Sequence, residues 1–368
     1  MSDWQYVISR LSGAGTETVL DWDVPLGGVV LSSALSGPDS MSGIISPELA
    51  SLKASDGRAL ITPWSTALYA IKDDRVRLGC IVTDLRARDS SLTIDGIGFS
   101  GYLHGIPYTG AVKDFGGQDP LNVVEFAWSH AQGQRRGNIG MRVENKSSKP
   151  RLATAKAAEK DSALKTVVMS WETTHDLGKL VDELALWTPF DYREDHAFSG
   201  NTIQHNLRIG YPRLGAKLTG LRFVVGENVI VMPDSIDEGG DYASEVIVLG
   251  AGEGNKMVRT SVPRTNEPRL RRPVIVSDKS LRTPQQVSTR ARLELTLRLG
   301  LPEIADIKVI DHPNAPLGSV RPGDEIFLQT GPEGWQGDLG FWARVLEVTV
   351  RPDEPGSITL SLARVEGV

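Results

Sequence analysis

The sequence holds one cysteine in 368 residues, so no disulfide can form within the chain. That residue, Cys80, lies in "VRLGCIVTDL" among apolar and β-branched neighbours, where a small buried side chain is the simpler reading than a reactive thiol. Nowhere do about eighteen apolar residues follow one another, and the opening "MSDWQYVISR" lacks a basic segment leading into an apolar run. No membrane span or secretion signal is therefore expected, and the chain is expected to be made and folded in a cytosol, whatever its later destination. An excess of positive charge is also missing. Lys and Arg number 40 against 46 Asp and Glu, a net charge of −6, and the arginines are scattered. This argues against a phosphate-neutralising surface for genome or RNA binding.

What remains is the composition of a folded chain, 40% hydrophobic and 23% charged, long enough for about two to four domains. Its first hundred residues read as short strands, "QYVISR", "TETVLDW", "GGVVLSSAL", "TALYAIK", "VRLGCIVTDLRAR" and "SLTIDGIG". Turn residues such as Gly13, Gly27, Gly28, Pro38, Asp73 and Asp74 separate them. A helix is expected after Asp119, with Pro120 in its first turn and Leu121, Val124, Trp128 and Ala131 on one face. A second is expected in "TTHDLGKLVDELALW", capped by Thr173 with Asp176 returning, and burying Leu177, Leu180, Val181 and Leu184. Between them "NKSSKPRLATAKAAEKDSA" reads as an exposed excursion.

Strands return in "NTIQHNLRIGY", "LTGLRFVVG", "NVIVMPD" and "SEVIVLG". A third helix is expected from Thr283, whose Thr-Pro-Gln-Gln supplies a cap, a first-turn proline and a returning Gln286, ending near Gly300. The last strands are "PEIADIKVI", "EIFLQT", "FWARVLEVTV" and "SITLSLARV", with turns at Arg321–Asp324 and Gly331–Gly334. The expected fold class is α+β, mainly β and multidomain, with a small β-barrel near each end. The expected domains are 1–110, a β-barrel; 111–215, α+β; 216–300, β-rich with a closing helix; and 301–368, a second β-barrel.

Several segments invite a chemical reading. "VIVLGAGEGNK" resembles a strand entering a phosphate loop, but Asn255 stands where the dinucleotide fingerprint needs its third glycine. Pro263, Pro268 and Pro273 also deny the following segment the required helix. The glycines are read as a strand exit. "GFSGY" misses the nucleophile elbow because Tyr102 replaces the last glycine, so Ser100 is read as a turn residue. The histidines His104, His130, His175, His196, His205 and His312 show no metal spacing. Asp195-His196 and His205 can meet across a hairpin, where a polar strand surface is the expectation. The acid pairs Asp73-Asp74 and Asp237-Glu238 sit in turns. No catalytic, cofactor or metal residues are assigned, and no enzyme activity is expected. The segment with Arg269, Arg271 and Arg272 fits an inter-subunit arm or a solvated connector equally. The eight tryptophans, Trp4, Trp22, Trp64, Trp128, Trp171, Trp187, Trp335 and Trp342, are read as core or interface anchors.

Taken in order, "LSGPDSMSGIISPE", "WSTALYAIKDDRVRLGCIVTDL", "SLTIDGIGFSGYL", "YPRLG", "FVVGENV", "VIVLGAGEG" and "RPGDEIFL" span almost the whole chain. Together they resemble the minor tail proteins of long-tailed actinobacteriophages, related to the baseplate hub and tail-associated proteins. The resemblance implies a virion protein of the tail tip, a homotrimer in which two β-barrels per chain surround the axial channel as a pseudo-hexamer. It also implies contacts with a distal tail protein, other tail-tip proteins and the tape measure protein, and transient contact with DNA in the lumen. It carries over no catalytic residues, and the peptidoglycan-cleaving domain of some relatives is not expected here. A tail-tip carbohydrate-binding adhesin and a cell-envelope hydrolase are the alternatives.

Overall fold

A computed structural model describes residues 4–54, 57–88, 91–144, 146–160, 165–188, 190–200, 202–231, 242–265, 270–279, 281–297, 306–329 and 340–364. The chain opens with β1 (Trp4–Leu11), β2 (Glu17–Asp21), β3 (Gly27–Ala34), β4 (Ser40–Ile45), one helical turn α1 (Pro47–Ala50), β5 (Thr66–Lys72), β6 (Arg75–Arg88) and β7 (Ser91–Gly98). All neighbours are antiparallel, in the order β3-β4-β7-β6-β5-β1-β2. Between β5 and β6 the chain reverses on Asp73 and Asp74 at φ 52 and 54. This two-residue left-handed turn matches the twist of a hairpin. A 3-10 turn over Phe99–Leu103 succeeds β7.

Strand β5 explains the placement of everything else. Residues Thr66 to Ile71 are all buried, because the sheet is covered on both faces. Leu68 and Ala70 face a core with Ile8, Leu31, Met41 and Ile94. Ala67, Tyr69 and Ile71 face a second core, built from the middle of the chain. A strand covered on both sides reads as an unbroken apolar run, as "TALYAIK" does.

That middle region comprises β8 (Lys113–Asp114), α2 (Pro120–Gly133), β9 (Met141–Val143), α3 (Ala155–Lys160), β10 (Val168–Met169), α4 (Leu177–Trp187), β11 (Asp191–Ser199) and β12 (Thr202–Gly210). Asp119 caps α2 as expected, accepting from the Leu121 amide. Its other oxygen takes the Ser148 amide at 2.5 Å and Arg151 Nη1 at 3.3 Å, so one carboxylate ends a helix and pins a loop. The buried face of α2 carries Leu121, Val124, Trp128 and Ala131, each large side chain contributing about 1.5–3 kcal/mol by leaving water. For α4 the expected cap is corrected. Asp176, not Thr173, accepts from Lys179 N, while Thr173 and Thr174 hydrogen-bond to Ser170 and hold the preceding turn. Within the excursion after α2, Ala155–Lys160 form α3, and Ser148 and Leu152 are buried where an exposed segment was expected.

The remaining elements are β13 (Phe223–Val224), β14 (Val229–Val231), β15 (Glu245–Leu249), β16 (Arg259–Pro263), β17 (Pro273–Ser277), α5 (Pro284–Leu297), β18 (Ile307–Ile310), β19 (Glu325–Gln329), β20 (Gly340–Val350) and β21 (Ser357–Arg364). Strand β15 is central in a small sheet, antiparallel to β16 and parallel to β17. Helix α5 covers it through Val287 and Ala291 against Val246 and Val248. The α5 capping box forms as expected, Gln286 N donating to Thr283 Oγ1 at 3.3 Å and Thr283 N to Gln286 Oε1 at 3.0 Å. Gly300, the Gly331–Gly334 turn, Asp237-Glu238, Pro268, Arg269 and Trp335 lie outside the described residues.

Strands β18, β19, β20 and β21, with β13 and β14, enclose a further core of Phe223, Ile307, Leu328 and Leu360. The molecule is thus α+β, mainly β, with several sheets and cores. One relationship the sequence did not reveal is that β20 pairs with β3, Glu347 opposite Ala34 and Val350 opposite Leu31. The terminal β regions thereby share one 13-stranded sheet.

Candidate functional site: a buried polar seam

The hairpin β11–β12 lies against the N-terminal sheet on the side of the middle region. Strand alternation turns Arg193 and Asp195 outward, where Asp195 binds both Arg193 and Arg208. It turns Tyr192, Glu194 and His196 inward, and on the partner strand Ile203, His205 and Leu207. His196 and His205 stand opposite one another. Their side chains are only 2% and 3% exposed. This corrects the expectation of a polar strand surface: the two histidines do meet across a hairpin, but inside the protein.

Glu194 reaches across to the 3-10 turn after β7. Its carboxylate accepts from Phe99 N at 2.7 Å, Ser100 N at 2.9 Å and Ser100 Oγ at 2.6 Å. It therefore satisfies amides that a helix start would otherwise leave unpaired. Ser100 is 6% exposed and its hydroxyl donates a hydrogen bond to Glu194, so it helps to hold the turn. Asp39, beside Glu194, accepts from Ala34 N at 3.0 Å. Burial, and then the Glu194 charge, raise the Asp39 carboxyl well above the ordinary carboxylate range. Cys80, 0% exposed as expected, is raised by burial and by the same two acids.

At the other end stands Glu17 of β2. Oε2 accepts from Tyr69 OH at 2.5 Å and Ser9 Oγ at 2.7 Å, and Oε1 from Ile203 N at 3.2 Å. Burial first, then Glu17, push the Tyr69 phenol well above its usual value. Between the acids lie the imidazoles. Nδ1 of His196 is 3.0 Å from Nδ1 of His205, His196 Nε2 is 3.4 Å from Glu194 Oε2, and His205 Nε2 is 3.9 Å from Glu17 Oε2. His205 stacks on Phe99, centroids 4.0 Å apart. Burial, and then the neighbouring His196, drag its titration down to about 2.

A line of acid, imidazole, imidazole and acid thus joins the N-terminal sheet to the middle hairpin, closed off from solvent. Such an arrangement holds protons and orients segments. Among the described residues no group of three or more His, Cys, Asp or Glu is placed to hold a metal.

The other sequence candidates lie elsewhere. In the glycine loop, Gly250 N and Val258 N bond to Val258 O and Ala251 O, and Ala251 N to Leu281 O, so those amides are committed. The loop leads into a short 3-10 turn, Gly254–Lys256, and then into β16, so no helix opens there. The arginine segment is tied to its own sheet, Arg271 to Glu245 at 2.6 Å and Arg272 N to Ser244 Oγ. His104 pairs with Asp182 at 3.0 Å and His312 with Glu227 at 3.4 Å, both at the surface. His130 is half-buried and its titration is lowered by that burial, and His175 is exposed. Trp128 is buried, whereas Trp22, Trp64 and Trp171 are 47%, 58% and 62% exposed.

Sequence reasoning paired His196 with His205 but missed Glu17, Tyr69, Asp39 and Glu194. The charge run "DYREDHAF" conceals the last, since its alternation sets one acid in the core among charged neighbours that face water. The signal available was parity: Tyr192, Glu194 and His196 share one face of any strand.

No family model and no curated protein match this chain. Solved structures do. The 43 kDa tail protein of prophage MuSo2 from Shewanella oneidensis superposes with a TM-score of 0.61 at 15% identity, over 98% of each chain. The tail protein of Neisseria meningitidis MC58 gives 0.58 at 14%, over 99% of this chain and 98% of that one. Prophage tail protein gp18 from Listeria monocytogenes EGD-e gives 0.53 at 10%, over 99% and 95%. The fold is shared with these proteins along nearly the entire length.

Proposed function

We propose that the chain is a structural protein of a phage tail, a hub-type component of the tail tip. The observation that carries this reading is end-to-end sharing of a multidomain fold with prophage tail proteins. A sheet that joins both terminal β regions and is covered on both faces near β5 suits a rigid structural part. In the finer form, three copies form a ring around the axial channel. They connect the tail tube to a distal tail protein, tape measure and other tip proteins, and DNA passes through the lumen, in a long-tailed actinobacteriophage. The units are residues 1–110, 111–215, 216–300 and 301–368, with the strands of 216–231 packing against the last of these. The role is structural and not enzymatic. Light scattering of the purified protein and electron microscopy of isolated tails test it: a trimer, and density at the tip, are expected. A monomer absent from the tip overturns the proposal.

A second reading, a glycan-binding adhesin, draws on the exposed Trp22, Trp64 and Trp171. Binding to host envelope glycans, lost when these tryptophans become alanine, would favour it.

A further inference from the structure

The protons available to the seam do not match its geometry if both imidazoles are neutral. The 3.0 Å contact between the two Nδ1 atoms uses one N–H and one lone pair. Each Nε2 then faces a carboxylate oxygen, at 3.4 Å from His196 to Glu194 and 3.9 Å from His205 to Glu17. A lone pair that close to a carboxylate in a dry interior is repulsive whereas an N–H is attracted, so a proton is favoured on both Nε2 atoms even where no hydrogen bond is made. Three N–H groups are thus needed, and two neutral imidazoles bring only two. The strain shows at His196 Nε2, which is buried without a hydrogen bond.

We propose that His196 and His205 share one extra proton between Glu194 and Glu17, and that this proton locks the β11–β12 hairpin onto the N-terminal sheet. The third proton converts the pair into a hydrogen-bonded imidazolium and imidazole. Its charge is then flanked by an acid on each side. The titratable groups around the pair are Glu17 from β2, Tyr69 from β5 and Glu194 from β11, with Asp39 of the β3–β4 turn beside Glu194 and Cys80 on the opposite face of β6, besides the neutral Ser9 and Phe99. None of these is cationic, so beyond the hydrogen bonds that each carboxylate accepts, the positive charge that offsets the two acids is a proton on the rings. A second extra proton is refused, since burial and the charge on His196 oppose it at His205.

The segments joined are distant in the chain. Glu17 is bonded to the Ile203 amide, and Glu194 to the Phe99 and Ser100 amides. Loss of the proton leaves two carboxylates in one buried seam and an imidazole lone pair against one of them. The hairpin is what can move away.

The test is a pH titration of the full chain with 15N-labelled histidine. Ring nitrogens are read by long-range 1H–15N spectra, and amide exchange is monitored at Ile203, Phe99 and Ser100. At pH 7 three of the pair's four ring nitrogens carry a proton. As pH rises one is lost in a single step, and exchange at those amides accelerates at least about tenfold with the same midpoint. Glu17→Gln shifts that midpoint down by about one pH unit, a tenfold weaker hold on the proton. Only two protonated nitrogens between pH 6 and 8 overturn the shared proton. A titration step without a change in amide exchange overturns the lock. Both readouts come from the unaltered protein, so a variant that fails to fold leaves the test intact.

Discussion

Gly98 is packed so tightly against Glu194 that a methyl group at Gly98 would meet the carboxylate oxygen Oε1, and would stand 2.6 Å from the Asp39 amide nitrogen. The backbone at Gly98 lies at φ −54, which any residue adopts. The demand for glycine is therefore purely one of space.

Gly98→Ala is accordingly expected to destabilise the protein by about 1–3 kcal/mol, the usual range for overfilling a packed interior. Gly27→Ala, at a position with nothing within 4 Å, changes stability by less than about 0.5 kcal/mol. Urea unfolding of the two variants measures the difference.

The seam should also mark the pH profile of stability. His205 titrates near 6.5 when unfolded and near 2 when folded, so the folded state binds fewer protons. This second protonation of the pair weakens the fold as pH drops from 6.5 toward 2, at up to about 1.4 kcal/mol per pH unit, while loss of the shared first proton weakens it at higher pH. Asp39 acts with the opposite sign. Its folded value is raised above 3.8, so its contribution is complete in acid below 3.8 and is lost as pH rises. Wild type reports the sum. The difference curve between wild type and His205→Asn isolates the histidine, with a positive slope between pH 4 and 6.5. Asp39→Asn, a mimic of the protonated acid, removes the opposing trend.

Two helix caps should differ in cost. Thr283→Ala removes one capping bond, worth about 0.5–2 kcal/mol. Asp119→Ala removes the cap of α2 and also strands the buried Ser148 amide, adding about 1–3 kcal/mol. Thermal or denaturant unfolding should rank Asp119→Ala as the more damaging.

In the glycine loop, Gly252 has φ +107, and a side chain there would lie 2.6 Å from Lys256 O. Gly254 has φ +52 with open space around it. Gly252→Val is expected to disrupt the β15–β17 unit or tail assembly. Gly254→Ala costs only the left-handed backbone, about 1–2 kcal/mol. Calorimetry with ATP or NAD should detect no binding before or after either change.

Strands with clean periodicity were legible: β1, β5, β6 and β12 stand where alternation and turn residues set them. So were the helix starts at Asp119 and Thr283, because capping is a local matter of side chain and neighbouring amide. Seven strands escaped, and β4 and β11 are the longest of them. β4, "SMSGII", is diluted by serines and Gly43, and it becomes a strand by pairing with β3 and β7 on either side. β11 carries Asp191, Arg193, Glu194, Asp195 and His196 within six positions, and a pattern of apolar residues cannot detect a strand whose inner face is polar. The seam was illegible for the same reason. Its members come from β1, β2, the β3–β4 turn, β5, the turn after β7, and the hairpin, and nothing local in the sequence announces that six segments converge. The β3–β20 pairing is likewise a property of the finished topology.

That pairing bears on the order of events during synthesis. Strand β3 is made early, yet its partner Gly340–Val350 leaves the ribosome some three hundred residues later. At about 5–20 residues per second, the wait is roughly 15–60 s. Throughout that interval a nascent chain presents one edge of β3, with its amides and carbonyls unpaired, to every other nascent chain nearby. The N-terminal sheet is then a half-built surface, and it is sealed only when β20 emerges.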